Sequence, residues 1–220
     1  GITNASVEQT AVRNTGDDGL ALWSDQHADA QDTFAANTVQ LPILANDIAI
    51  YGGADNRVTN NLVEDSLTQG GGINVGNRFG AVPLSGTTTI ADNTLIRTGC
   101  FDPNFNFGVG AIWFYALDSA MSAKIVVTQD EIDASVNEAI QFIGSASITN
   151  VTFDHVHIDH AGTFAVQEQA PGSANFSDVT ATGLGAGGVY NCGAGFTIAQ
   201  GSGNAGWGTT SCGFPTPSHE

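Results

Sequence analysis

The chain has 220 residues, enough for one domain with a sizeable core, and carries 22 acidic against five basic residues for a net charge of −17. So few Lys and Arg exclude nucleic acid and anionic membranes as partners, because phosphate binding needs basic clusters, and they point to a neutral substrate. No apolar run is long enough to cross a membrane as a helix and no secretory leader is recognisable, so a mature form or an excised segment is expected.

The chain opens on "GITNASVEQTAVRNTGDDG", which enters its first element without an obvious cap. Short apolar alternations then recur, each preceded by Gly, Asn or an acid: "DDGLALW", "ANDIAIYG", "GGGINVG", "GVGAIWFY", "NEAIQFIG", "AGTFAVQ" and "AGGVYNC". Their first inward residues are Leu20, Ile48, Ile73, Ile112, Ile140, Phe164 and Val189, spaced 24 to 28 residues apart save one gap of 39. The excess in that gap lies in "NRFGAVPLSG" and "GCFDPNFNFGVG". A second ladder, Asn37, Asn61, Asn93, Asp130, Asp154 and Asp178, precedes six of these anchors, and Asn and Asp suit turns because they satisfy nearby backbone groups.

Repeats of about 25 residues made of short strands and polar turns predict an all-β, right-handed parallel β-helix of about seven coils, over residues 1–213. A β-sandwich is the alternative, but it need not repeat a three-turn unit. A solenoid normally shields its open ends, so coils N-terminal to Gly1 are expected to be missing or supplied by a companion chain. At the other end, Cys192 and Cys212 flank a Gly-rich stretch and are candidates for a disulfide in an exported protein, leaving Cys100 over. Residues 214–220 read as a tail or the start of a linker.

Alternation assigns faces. With Leu20 and Leu22 inward, Asp18, Ala21 and Trp23 face out, and the corresponding rows on other coils mix aromatics, amides, acids and glycines. Sugars present apolar ring faces and hydroxyl rims, which such a surface suits. Trp23, Tyr51, Trp113 and Tyr115 are candidate sugar platforms. Asn77, Arg78, Glu138, Gln141 and Gln167 are candidate hydroxyl partners. Glycoside hydrolysis uses two carboxyl groups, and adjacent Asp17 and Asp18 qualify if the turn aims both at one cleft. Glu138 shares Asp18's row but lies four coils away, too far to be its partner. A third carboxylate in reach is Asp47. Taken alone, "DDG" reads as a turn.

"RNTGDDGLALWS", "NTVQLPILANDIAIYGG", "TQGGGINVGNRF", "VPLSGTTTIADNTLIRTG", "VGAIWFYALD", "EAIQFIG" and "GTFAVQEQAPGSANFSDVTATGLGAGGVYNC" together resemble the catalytic β-helix of glycoside hydrolase family 87, the microbial α-1,3-glucanases (mutanases) and mycodextranases. The similarity runs from about Val12 to Trp207. The resemblance implies endo-hydrolysis of a neutral α-1,3-linked glucan, with inversion, and makes Asp17 and Asp18 the general acid and general base in an order it leaves open. It also implies a third essential aspartate upstream, whose position falls before Gly1. Secretion fits both composition and substrate.

Other features weigh less. His155, His157 and His160 in "DHVHIDH" match no zinc-hydrolase spacing and read as surface ladder residues, so no metal site is assigned. No cofactor is expected; a structural calcium is compatible with so acidic a chain, although no loop spells a calcium motif. A pectin-type β-helix hydrolase would want basic residues for its anionic substrate. A non-catalytic glycan-binding or structural β-helix with an incomplete active site is the alternative from another class.

Overall fold

Three stacks of short parallel strands, each receiving one strand per coil, wrap a single apolar interior. The structure, a computed structural model, describes residues 1–104 and 106–212, so the expected tail at 214–220 lies outside the described residues. The sheets hold eight, seven and eight strands. One coil shows the plan: Thr33–Ala35 joins the first sheet, Thr38–Gln40 the second and Ile48–Tyr51 the third. Each pairs in register with its equivalents on the coils before and after. This is the parallel β-helix that the repeats predict.

Inward residues stack coil on coil. Ile48, Ile73, Ile112 and Ile140 are fully buried along the third sheet. Further along, Phe114 stacks on Phe142 at 5.1 Å and Phe153 on Phe176 at 4.6 Å. Every backbone N–H of an inner coil can bond a neighbouring coil, so short strands suffice when repeated.

The anchor series needs one correction. Ile140 pairs with Val166, and Val166 with Val189, so Val166 and not Phe164 is the sixth anchor. The alternation in "GTFAVQ" admits either phase, because Phe164 and Val166 are both apolar and both buried. Gln167 therefore shares a row with Gln141, one residue after the anchor.

The Asn ladder is real but shorter than read. Asn37 Oδ1 accepts the N–H of Thr10, and Asn61, Asn93 and Asp130 repeat this for Asn37, Asn61 and Asn93. Asp154 and Asp178 do not continue it. In register with Asp130 stand Val156 and Val179, which are buried and apolar. The left-handed corner lies one residue before each rung, at Ala36, Asn60, Asp92 and Gln129, with φ between 53° and 58°.

The long gap builds two additions to the third sheet. Residues 78–86 form a loop tied back by Val82 N–H to Ser24 O. Cys100–Asp102 and Phe107–Val109 form an antiparallel pair. Near the C-terminus Cys192 and Cys212 are joined, as expected, and Cys100 is free and buried. The three histidines are exposed on the outer surface: His155 beside Asp154, His160 beside Asp159, and His157 against Thr180. Among the described residues no helix is long and apolar enough to cross a membrane.

Candidate active site

A cleft of about 830 Å³ opens at the first coils of the third sheet. Asp17 and Asp18 line it together with Trp23, Asn46, Tyr51, Arg78, Phe79, Asp102 and Asn104. The coil supplies the floor. The two additions supply walls: Arg78 and Phe79 from the loop, Asp102 and Asn104 from the antiparallel pair. The extra residues in the 39-residue gap thus turn a flat solenoid face into a concave one.

The turn before Leu20 aims the two acids differently. Asp17 is exposed, and its Oδ1 accepts the N–H of Asp18 at 2.9 Å, so the turn reading of "DDG" also holds locally. Gly19 follows because the corner is tight: a Cβ there would sit 2.4 Å from Val39 Cγ1 and 2.6 Å from Asp47 O. Asp18 turns toward the next coil. Its Oδ1 accepts Asn46 N–H at 2.8 Å and Asn46 Nδ2 at 2.9 Å, and its Oδ2 accepts Tyr51 O–H at 2.9 Å. Burial pushes the Asp18 carboxyl above the usual carboxylate range; the Asn46 and Tyr51 donors oppose this shift and Asp17 adds to it.

Asp47 is not a third member. Its carboxyl is buried, accepts Ser66 O–H at 2.5 Å and does not line the cleft. Burial pushes it up to about 8, the range of a protonated structural acid.

Of the expected platforms, Trp23 is open, with 54% of its surface exposed, whereas Tyr51 lines the cleft but is buried, its O–H given to Asp18. Arg78, an expected hydroxyl partner, also lines the cleft. Trp113 is not a platform. Only 1% of its surface is exposed, and its indole N–H donates to Asn46. Tyr115 is also buried, packed on Trp113 at 5.7 Å and under the Arg78 guanidinium at 4.7 Å. Asn77 is corrected too: its amide bonds Ala120 O and the N–H of Leu84, holding the loop.

Gln141 is buried between Gly108 O, Gly110 N–H and Gln169, and Glu138 is buried against Thr163. The antiparallel pair covers this stretch, which alternation cannot foresee. Gln167 is half-buried and lies outside the cleft. The sequence reading missed Phe79, Asp102 and Asn104 as lining residues. The signal available was the excess length of the third gap.

Two groups among the described residues bring possible metal-ligand atoms within 4.8 Å of one another: Asp133, Asp159 and His160, and Asp154, His155 and Asp178. None of these residues lines the cleft.

Comparison with known proteins follows the same outline. The family described as α-1,3-glucanase catalytic domain D2 matches residues 1–207. The catalytic unit of a thermostable GH87 α-1,3-glucanase from Streptomyces thermodiastaticus strain HF3-3 is 41% identical with a TM-score of 0.88; the match covers 99% of this chain and 44% of that one. A GH87 α-1,3-glucanase catalytic domain solved in complex with nigerose is 25% identical with a TM-score of 0.79, over 92% of this chain and 41% of that one. The mannuronan C-5 epimerase AlgE4 A-module of Azotobacter vinelandii shares the fold alone, at 13% identity and a TM-score of 0.69, over 98% of this chain and 57% of that one. The chain therefore spans less than half the length of the two glucanase structures. No curated protein sequence matches it.

Proposed function

The chain belongs to the α-1,3-glucanase catalytic domains of glycoside hydrolase family 87, and on that premise we propose that it hydrolyses α-1,3-glucosidic bonds within a neutral α-glucan. The observation that carries the reading is the pair of adjacent aspartates at a cleft of about 830 Å³ that holds an exposed tryptophan. The nigerose complex of a relative supports a gluco-oligosaccharide in this groove.

The surroundings of the two acids support one division of roles. Both oxygens of Asp18 accept hydrogen bonds, from Asn46 and Tyr51, an arrangement that suits a carboxylate. Burial raises its proton affinity, which makes it a stronger base. Asp18 is the general base that takes a proton from water. Asp17, exposed in the cleft, is the general acid that protonates the glycosidic oxygen. The C1–O bond breaks as water attacks the opposite face of the sugar, so configuration inverts. Trp23 stacks under a glucose ring. A polymeric substrate and the Cys192–Cys212 disulfide fit work outside the cell.

The test is reducing-sugar release from insoluble α-1,3-glucan, with an α-1,4-glucan as control. Asp17→Asn and Asp18→Asn should each lower kcat by about 10²–10⁴-fold, the range for loss of an acid–base group. Glucan binding without turnover, unchanged in both variants, would instead mark a non-catalytic binding module. The resemblance implies a third aspartate upstream of the pair. Assaying the chain with and without preceding coils tests whether that group is required.

A further inference from the structure

Trp113 lies two coils beyond Asn46, yet its indole N–H reaches Asn46 Oδ1 at 2.8 Å. Glycine opens the way. A Cβ at Gly71, on the intervening coil, would sit 3.1 Å from Trp113 Cδ1 and 2.1 Å from Gly110 O. The Gly71 N–H also donates to Asn46 Oδ1, at 3.0 Å. One end of the Asn46 amide thus faces two donors. Indole N–H and backbone N–H can only donate, so that end must be the oxygen. The other end is then the NH2 group, which bonds Asp18 Oδ1 at 2.9 Å and contacts Tyr51 Oη at 3.2 Å. A reversed amide would set oxygen against a carboxylate oxygen.

We infer that Trp113 is a positioning residue for Asp18, acting through the Asn46 amide without touching substrate. This rests on the role proposed for Asp18 above. The relay runs indole N–H to amide oxygen, then amide NH2 to carboxylate. It explains why a large aromatic with a polar handle is fully buried behind the cleft wall. The Arg78 guanidinium lies 5.8 Å from the Trp113 ring and 4.7 Å from Tyr115, so the same aromatic pair also backs a cation that lines the cleft. When Asp18 is ionised, it polarises the amide and strengthens the bond from the indole; when Asp18 is protonated, that bond weakens.

Two measurements test this, one of them independent of turnover. In the wild-type chain, the Trp113 indole N–H resonance should titrate with the same midpoint as the Asp18 carboxyl carbon. Asp18→Asn should abolish that step. An indole resonance that does not move with pH, or whose step persists in Asp18→Asn, overturns the relay whatever the catalytic activity. In Trp113→Phe, with the fold verified by melting and circular dichroism, the Asp18 midpoint should rise by about half a pH unit or more, because a donor to the carboxylate is held less firmly. The acid limb of kcat should move with it, and KM should stay within about twofold. A variant that loses only thermal stability, with an unmoved Asp18 midpoint, also overturns the inference. Failure of the proposed function would show separately, as a wild type without glucanase activity.

Discussion

Asp18 shows how opposed effects set one group. Desolvation favours its neutral form and three donated hydrogen bonds favour the ion, with the net shift upward. In the proposed role of general base it must be ionised, so activity is lost as pH falls through its value. The acid limb of kcat/KM should therefore lie above the ordinary aspartate value of ~3.9. Tyr51→Phe removes the donor on Oδ2 and should move that limb further up; a limb that moves down or stays would contradict the role of Tyr51. As a proposed sugar platform, Trp23 would act through its open face. Trp23→Ala should raise KM by about tenfold at most, ~1.4 kcal/mol, with less change in kcat.

That Asp17 and Asp18 meet at one cleft was legible in the sequence because "DDG" stands at the mouth of a repeating unit. Which aromatics reach the cleft was only half legible. Trp23 and Trp113 both follow their anchors on the outward side, and alternation cannot tell them apart. One faces the cleft, and the other is roofed by the antiparallel pair that an insertion builds.

At the scale of the element, the Asn ladder ties the coils together from inside a corner. In three rungs the carboxamide accepts two N–H groups or one, and its Nδ2 donates to a carbonyl one coil back: Val7 O for Asn37, Phe34 O for Asn61 and Val58 O for Asn93. Asp130 keeps the accepting half, through Oδ1 to Asn93 N–H and Nδ2. It lacks the donating half, and its Oδ2 is buried without a partner. Burial pushes this carboxyl up to about 7.

A folded-state value above the unfolded ~3.9 means that the folded chain holds the proton more tightly. The stabilising contribution is complete below ~3.9, falls as pH rises and is gone above about 7. Asp130→Asn restores the donor at every pH. It should raise Tm at pH 8 by about 2–4 °C, the equivalent of ~1 kcal/mol, and by less at pH 5. A variant no more stable than wild type at pH 8 would refute this account of the rung. The spacing of Asn37, Asn61 and Asn93 revealed the ladder in sequence. Its end did not show, because Asp154 and Asp178 keep the polar character at the corner while Val156 and Val179 take the inner place.

For the molecule as a whole, repetition made the fold readable. Each coil satisfies its backbone against its neighbours, so apolar period, turn residues and spacing all report the same architecture. The one exception in spacing marks the site. Residues inserted between Ile73 and Ile112 would add nothing to a solenoid, and here they wall a cleft above adjacent acids. Acidity also has a consequence at this scale. Asp47, at about 8, and Asp130, Glu138 and Glu168, at about 7, are all raised by burial. Each contributes stability that is lost as pH climbs through the window from ordinary carboxylate values to those figures. The chain should melt at a higher temperature at pH 5 than at pH 8; the reverse order would show that other groups dominate.

The most direct test of the central claim follows the anomeric protons of fresh products by NMR as the enzyme cleaves an α-1,3-gluco-oligosaccharide. The account predicts β-anomers first with the wild type, from inversion at a single displacement, and no products above background with Asp17→Asn or Asp18→Asn. α-Anomers appearing first, or cleavage persisting in both variants, would contradict the assignment of this aspartate pair.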